Sequence, residues 1–272
     1  MMKKFRFGKN WKKFVRSIDD IRIDKAKESL ADMLGAENLR DKDFLDAGAG
    51  SGLFSLAACL LGARVYSFDY DIESVECVQY LNGKYAPHAK DWKIEKGDIL
   101  DAEYISSLGN FDIVYSWGVL HHTGDMWQAC DNAAGLVRKG GLIYIALYND
   151  QGYSSKVWLG IKFFYNWLPG ISKFIILFPA FIRIWILTCF KDLSKGKPFY
   201  TWKNYKQSPR GMDPWRDVID WVGGYPFEVA SPEKVIQFFK SRGFCEKKVI
   251  TCRKGYGCNE FVFKKEEQVC AE

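Results

Sequence analysis

The segment Asp46-Ala47-Gly48-Ala49-Gly50-Ser51-Gly52 constrains this chain more than any other, because glycines at alternate positions after an apolar run mark a tight turn from strand into helix. Phe44 to Ala47 reads as the strand and Leu53 to Leu61 as the helix. The loop therefore lies beneath a helix N-terminus, where a ligand can approach the backbone without Cβ interference. Its spacing argues against a dinucleotide. That fingerprint needs Gly-x-Gly-x-x-Gly, whereas the third residue after Gly50 is Leu53, and Asp46 at the head of the loop would repel a pyrophosphate. An acid there suits a ligand with a cationic end.

From residue 43 to 147 apolar, β-rich runs alternate with helical stretches, the pattern of a parallel sheet covered by helices. Further strands are predicted at Val65 to Phe68, Trp92 to Lys96, Phe111 to Ser116 and Leu142 to Leu147, with helices at Ile72 to Leu81 and Met126 to Val137. Beyond residue 210, Ser231-Pro232-Glu233 reads as a helix start, with the helix running to about Arg242 and ended by Gly243. Val249 to Cys252 and Glu260 to Phe263 then read as a terminal hairpin. Asp69, with Tyr70 beside it, ends the second strand 23 residues after Asp46, where a carboxylate accepts hydrogen bonds from vicinal ribose hydroxyls. Asp98 and Ile99 end the third strand and offer a carboxylate to an adenine amino group beside an apolar contact for the ring.

Taken together, the Asp-x-Gly-x-Gly-x-Gly loop, Asp69, Gly97-Asp98 and Phe111-Asp112-Ile113-Val114 with a following Lys-Gly-Gly turn resemble the class I S-adenosylmethionine-dependent methyltransferases. The resemblance covers most of residues 40 to 150. It implies S-adenosylmethionine as cofactor and an α/β fold: a Rossmann-like seven-stranded sheet, last strand antiparallel, with helices on both faces. Cofactor contacts then fall to Asp46, Gly48, Gly50, Gly52, Asp69, Tyr70, Asp98 and Ile99, and to Ser116 and Trp117, which lie where family members touch it. Within the class, Leu120-His121-His122-Thr123 is similar to the Leu-Glu-His-Val segment of the ubiquinone-biosynthesis O-methyltransferases. Tyr148-Asn149-Asp150-Gln151-Gly152 is similar to their Asn-Arg-Asn-Gly-like segment, and an aromatic insertion follows in both. Ile18-Asp19-Asp20-Ile21-Arg22 looks like their Ile-Asn-Pro-Leu-Arg, which nominates Arg22 for the cofactor carboxylate. The chain departs from that pattern at His121, where those enzymes carry an acid, and at Gly223-Gly224-Tyr225-Pro226, where they carry Gly-Thr-His-Asp. Metal assistance and a quinol acceptor are accordingly not carried over, and no metal is expected.

Methyl transfer from a sulfonium is an in-line displacement, so an enzyme mostly holds acceptor and methyl in line, about 3 Å apart. A hydroxyl acceptor also loses a proton. His122, with His121 next, follows the fourth strand and is the expected base, since a histidine near its ordinary pKa can take that proton. Arg210, Asp213 and Trp215 are candidates for the acceptor site.

Charge sharpens the organisation. Met1 to Arg16 carries seven Lys/Arg and no acid, residues 17 to 150 carry 12 basic against 22 acidic side chains, and residues 151 to 211 carry 10 against Asp192 alone. Two basic segments flank an acidic body. This divides the chain into an N-terminal helical cover (1–40), a cofactor-binding core (41–150), an aromatic, basic lid insertion after the fifth strand (151–215) and the rest of the core (216–272). The most apolar stretch, Phe174 to Phe190, is interrupted by Pro179 and Arg183 and is expected to fall short of a membrane span. The insertion reads as a lid over a small or lipid-linked acceptor that also suits an anionic membrane surface. Nucleic acid is disfavoured, because Ser116-Trp117-Gly118-Val119 lacks the Asp/Asn-Pro-Pro-aromatic run of base-amino methyltransferases. Eight cysteines without a Cys-x-x-Cys pair, and no apolar stretch directly after the basic start, point to a cytoplasmic protein with reduced thiols. The expected activity is O-methylation. A sugar or surface-glycan acceptor and a non-catalytic binding module stay open as alternatives, as does the oligomeric state.

Overall fold

The computed structural model describes Phe5 and residues 7–205, 214–253, 255 and 257–267. Strands β1 (Asp43–Ala47), β2 (Arg64–Asp69), β3 (Trp92–Lys96), β4 (Phe111–Trp117), β5 (Val137–Tyr148), β6 (Phe244–Ile250) and β7 (Cys258–Lys265) form one sheet in the order β3-β2-β1-β4-β5-β7-β6. The first five run parallel, and β7 is antiparallel to both of its neighbours, β5 and β6. This is the seven-stranded arrangement with an antiparallel last strand that the sequence implies.

Alternation along the strands divides the core into two layers. Phe44, Val65, Ile113, Tyr115 and Tyr144 face one apolar cluster, which α1 (Gly8–Phe14), α2 (Asp20–Leu34), α3 (Leu53–Leu60) and α4 (Ile72–Tyr85) complete. Leu45, Ala47, Val114, Ile143, Ile145, Phe261 and Phe263 face the other, under α5 (Ala102–Ser107) and α6 (Met126–Gly135). In α2 the buried residues Ile23, Ala26, Leu30, Met33 and Leu34 recur three or four apart, so one stripe meets the sheet. Asp19 caps its start by accepting the Arg22 N–H, and Gly35, at φ 66°, ends it.

The insertion builds a third core. Between β5 and the final helix run α7 (Tyr153–Trp167), α8 (Phe174–Ser194), α9 (Tyr200–Lys203) and α10 (Pro214–Gly223). Trp158 and Tyr165 of α7, Leu177, Ala180 and Trp185 of α8, and Val218 and Val222 of α10 pack on one another and on Phe227. The chain then returns to the second face through α11 (Pro232–Lys240), which Ser231 caps.

Three expectations need correction. Pro179 does not interrupt α8, which is continuous over 21 residues. Gly170–Ser194, with mean hydropathy 1.9, is long and apolar enough to cross a membrane by length and composition, and only 17% of its most apolar window is buried. The terminal hairpin also starts earlier than predicted, at Phe244, because Glu246-Lys247-Lys248 belongs to an edge strand, where charged side chains face water and guard the open edge. Strand β5 likewise begins at Val137: Phe111 pairs with Val137 and Ile113 with Leu142, so the Lys-Gly-Gly turn is an irregularity inside the strand.

Phe239 on α11 is fully buried and stacks on Phe263 at 4.7 Å between ring centroids. Phe239→Ala is expected to lose about 3–5 kcal/mol in urea unfolding, whereas Ile171→Ala, at a residue 86% exposed, should change stability by less than about 0.5 kcal/mol.

Candidate functional site

The chain runs from β1 outward to β3, then re-enters the sheet on the other side of β1 as β4. Open α/β sheets bind ligands outside the carboxyl ends of the two strands where the order reverses, here β1 and β4. The loops leaving these strands touch. A Cβ on Gly48, whose φ is +85°, would lie 2.3 Å from Val119 Cγ1, so glycine is required both for the turn and for the contact.

Asp69 at the end of β2 anchors the loop. Its Oδ2 accepts the Gly50 N–H at 2.9 Å and its Oδ1 accepts the Asp71 N–H at 2.8 Å. Burial raises its pKa to about 6 despite these bonds, and two loaded carboxylate oxygens still keep lone pairs for further donors. Asp46 is buried in β1 and accepts from Ser55 Oγ at 2.5 Å; burial, then the neighbouring Asp69 charge, raises its pKa to about 7. Gly52 begins α3 in the left-handed region. Tyr70 is exposed beside Asp69, while Asp98 Oδ1 accepts the Leu100 N–H at 3.0 Å. Ile99 is packed in the second apolar cluster, Trp117 lies partly buried against the first, and Ser116 donates to Ala47 O at 2.7 Å, tying β4 to β1. Arg22, in the first turn of α2, has a side chain 15% exposed. Its Nη1 donates to Ser17 O at 2.5 Å and to Asp19 Oδ2 at 2.9 Å, while its buried Nε–H has no partner.

The short helical turn Leu120–His122 follows β4. His122 Nδ1 lies 2.6 Å from Pro226 O; a carbonyl only accepts, so Nδ1 carries the proton and Nε2 keeps its lone pair. His121 is the reverse. Its Nδ1 accepts the Tyr148 N–H at 3.3 Å, which puts the proton on Nε2, and that atom is buried without a partner. Burial lowers the pKa of both rings, His122 to about 3, and the nearby Lys162 charge lowers them further. This corrects the expectation of a histidine poised near neutrality: both are neutral rings at physiological pH. Trp215 packs inside the insertion, 5.0 Å from Phe181 and 6.5 Å from Phe174 between centroids. Arg210 and Asp213 lie outside the described residues.

This arrangement has known counterparts. Residues 45–145, which span β1 to β5, match the family model described as methyltransferase domain. The segment is a methyltransferase domain. The curated relatives of the chain include the ubiquinone biosynthesis O-methyltransferase of Pelagibacter ubique (strain HTCC1062), 26% identical over 134 residues, which are 48% of this chain and 52% of that protein. The enzyme of the same name from Xanthomonas oryzae pv. oryzae (strain PXO99A) is 29% identical over 135 residues, 50% of this chain and 52% of that protein. The chain spans about half the length of the curated relatives it matches. Among solved structures, magnesium protoporphyrin IX methyltransferase from Synechocystis PCC 6803 with bound S-adenosylhomocysteine superposes with a TM-score of 0.54 at 14% identity, covering 90% of this chain and 84% of that one. The N-methyltransferase NodS from Bradyrhizobium japonicum WM9 gives 0.50 at 14% identity, covering 92% and 89%. Both have the fold described above.

The methyltransferase domain is covered by residues that the motif reading did not single out. Trp11 of α1 lies over the loop, its Nε1 3.2 Å from where a Cβ on Gly50 would sit. Gly8 N–H donates to Asp71 Oδ2 at 3.2 Å, and Asn10 Nδ2 to Asp220 Oδ1 on α10 at 2.5 Å. The Phe7 ring lies 5.0 Å from that of His122. Helix α1 thus bridges the glycine loop and the insertion. The one available signal was the pairing of Trp11 with flanking lysines in a segment otherwise read as charge.

Asp46 binds its proton more tightly in the folded chain than at the ordinary carboxylate pKa of about 4. Between about pH 4 and 7 the folded state therefore holds more protons at this site, and stability falls as pH rises. Replacing it by Asp46→Asn should make ligand-free protein relatively more stable as pH rises through that window, read as a widening gap in Tm between variant and wild type.

Proposed function

We propose that this chain transfers a methyl group from S-adenosylmethionine to an oxygen of a small or lipid-linked acceptor. The observation that carries the reading is the Asp69-anchored glycine loop at the sheet's reversal point, roofed by Trp11. The residues fit the cofactor. Arg22 holds a buried Nε–H without a partner, suited to a carboxylate, and the buried Asp46 and half-buried Asp69 are acids that a cationic ligand would return to their ionised forms. Asp69 can accept ribose hydroxyls, and Asp98 an adenine amino group. When bound, S-adenosylmethionine supplies a methyl activated on a sulfonium. The chain's own work is to orient the acceptor and exclude water. His122 offers the Nε2 lone pair to the acceptor hydroxyl as a hydrogen-bond acceptor, while His121 acts through its tilted contact with the Tyr148 ring, 3.9 Å between centroids. The relatives named for ubiquinone biosynthesis favour oxygen as the receiving atom.

The insertion acts in this reading as a lid that rests on an anionic membrane surface from the cytoplasmic side. Helix α8 exposes Ile175, Phe178, Leu187, Phe190 and Leu193. Asp192, the single acid among residues 151–211, is turned inward and accepts both Thr201 N–H and Oγ1 at 2.7 Å. Lys173, Arg183 and Lys191 are the basic side chains of the same helix and its entry turn, beside that apolar face.

Calorimetry should detect S-adenosylhomocysteine binding to wild type and none to Gly50→Arg, because φ +55° strains any side chain there and its Cβ would already crowd Trp11 at 3.2 Å. With methyl-labelled donor and fractionated cell extract, wild type should label the lipid or small-molecule fraction and the variant should not; label confined to protein or nucleic acid would sink the reading. In flotation, the chain should rise with phosphatidylglycerol-containing liposomes and stay behind with neutral ones. Equal behaviour with both would remove the membrane from the proposal.

A further inference from the structure

Helix α1 is too short to stand by itself. It has seven residues, its N-cap Phe7 supplies no side-chain bond and its first turn carries no acid. Isolated helices shorter than about 12–15 residues are marginal in water, so the helical form of α1 depends on what it docks against. Its C-terminal end is anchored, because Phe14 and the following Val15 are buried in the first apolar cluster. Its N-terminal end is held by polar contacts on two other helices. The Gly8 N–H donates to Asp71 Oδ2 at the start of α4, which replaces the missing cap, and a Cβ on Gly8 would lie 2.6 Å from Glu73 Cβ. Lys12 pairs with Glu76 at 2.7 Å and with Glu73 at 3.4 Å, while Asn10 Nδ2 donates to Asp220 Oδ1 on α10. Ahead of the helix, the Phe5 N–H donates to Tyr225 O at 3.0 Å, and the Phe5 ring comes within 2.3 Å of where a Cβ on Gly223 would sit. The glycine that departs from the relatives' pattern thus seats the N-terminal segment.

One face of this segment reaches both halves of the site. Trp11 Nε1 is 3.2 Å from the Cβ position of Gly50, and the Phe7 ring lies 5.0 Å from that of His122. Residues four apart share a helix face, so α1 spans the gap between the glycine loop and His122. We propose that α1 is a strap, hinged at Phe14, that undocks from α4 and α10 to let the cofactor in and out, and that the Asn10–Asp220 bond is its latch to the insertion. This rests on the reading of the glycine loop as the S-adenosylmethionine site. Without Asp71 and its other partners the helix has no means of holding its form, so opening is local unfolding of a segment secured by few contacts. Phe7 moves with Trp11, and the His122 side is uncovered in the same step. Because the latch sits on α10, a displacement of the insertion changes the rate of cofactor exchange.

The test follows S-adenosylhomocysteine onto and off immobilised full-length protein by surface plasmon resonance. Asn10→Asp sets a second carboxylate against Asp220, and Asn10→Ala, which only removes the bond, serves should the charge disturb folding. Each should raise association and dissociation rates together by about tenfold, the effect of losing one hydrogen bond to a charged group. Kd should stay nearly unchanged, because the latch is lost equally from the closed forms with and without ligand. Wild-type rates in both variants overturn the strap. Faster dissociation with unchanged association overturns it too, since α1 would then be a wall of the site and not its gate. Hydrogen exchange of wild type gives a second reading: the amides of α1 should exchange faster than those of α3 and slow on addition of S-adenosylhomocysteine, and protection equal to that of α3 counts against the proposal. Absent binding by wild type removes the methyl-transfer reading and the strap with it, whereas normal binding with unmoved rates removes the strap alone.

Discussion

The hydrogen bond from Gly50 N–H to Asp69 is the constraint around which the carboxyl edge of the sheet is arranged. It ties the loop after β1 to the end of β2, and Gly48 lets the same loop press against Val119 after β4. Three strands are thereby fixed relative to one another where a ligand has to sit. The cost is electrostatic, because Asp46 is buried and Asp69 half-buried, and both hold their protons more tightly than ordinary carboxylates. A site that keeps two acids in that condition is preorganised for a cation.

The insertion beside this edge has the opposite problem. It carries its own aromatic core and buries Lys162, whose charge Asp220 favours. Helix α1 spans the two, with Trp11 over the acidic loop and Asn10 on Asp220. A hydrogen bond from Asn10 holds the acid that acts on the lysine, so the helix over the glycine loop and the electrostatics of the insertion are connected. The exposed side of α8 is a separate matter: its single segment acid is used internally as a cap for Thr201, which leaves the surface apolar and basic.

Much of the cofactor half was legible in the sequence. Asp46, Gly48, Gly50 and Asp69 lie at or just after strand ends, and strand ends are marked locally by apolar runs and glycine. The same local grammar failed where tertiary context overrides it. Phe244 to Ile250 carries Glu246, Lys247 and Lys248 because it is an edge strand, and an edge strand in isolation looks like a loop. Pro179 looked like a helix breaker, yet α8 runs through it.

The chemistry of the acceptor side shows the division most sharply. Sequence alone carried the methyltransferase-domain match over residues 45–145, the parallel sheet, the loop that turns on Gly48 and the position of two histidines after β4. It did not determine their protonation. Pro226, 104 positions away from His122, fixes which nitrogen carries the proton, and burial takes the ring to a pKa of about 3. Trp221 and Phe227 do the converse for Lys162, an unremarkable lysine in an aromatic stretch until the fold removes water from around it. Residue types and spacings set which groups are available. Desolvation and partners distant in the chain, which exist only after folding, decide which way the pKa of each is pushed.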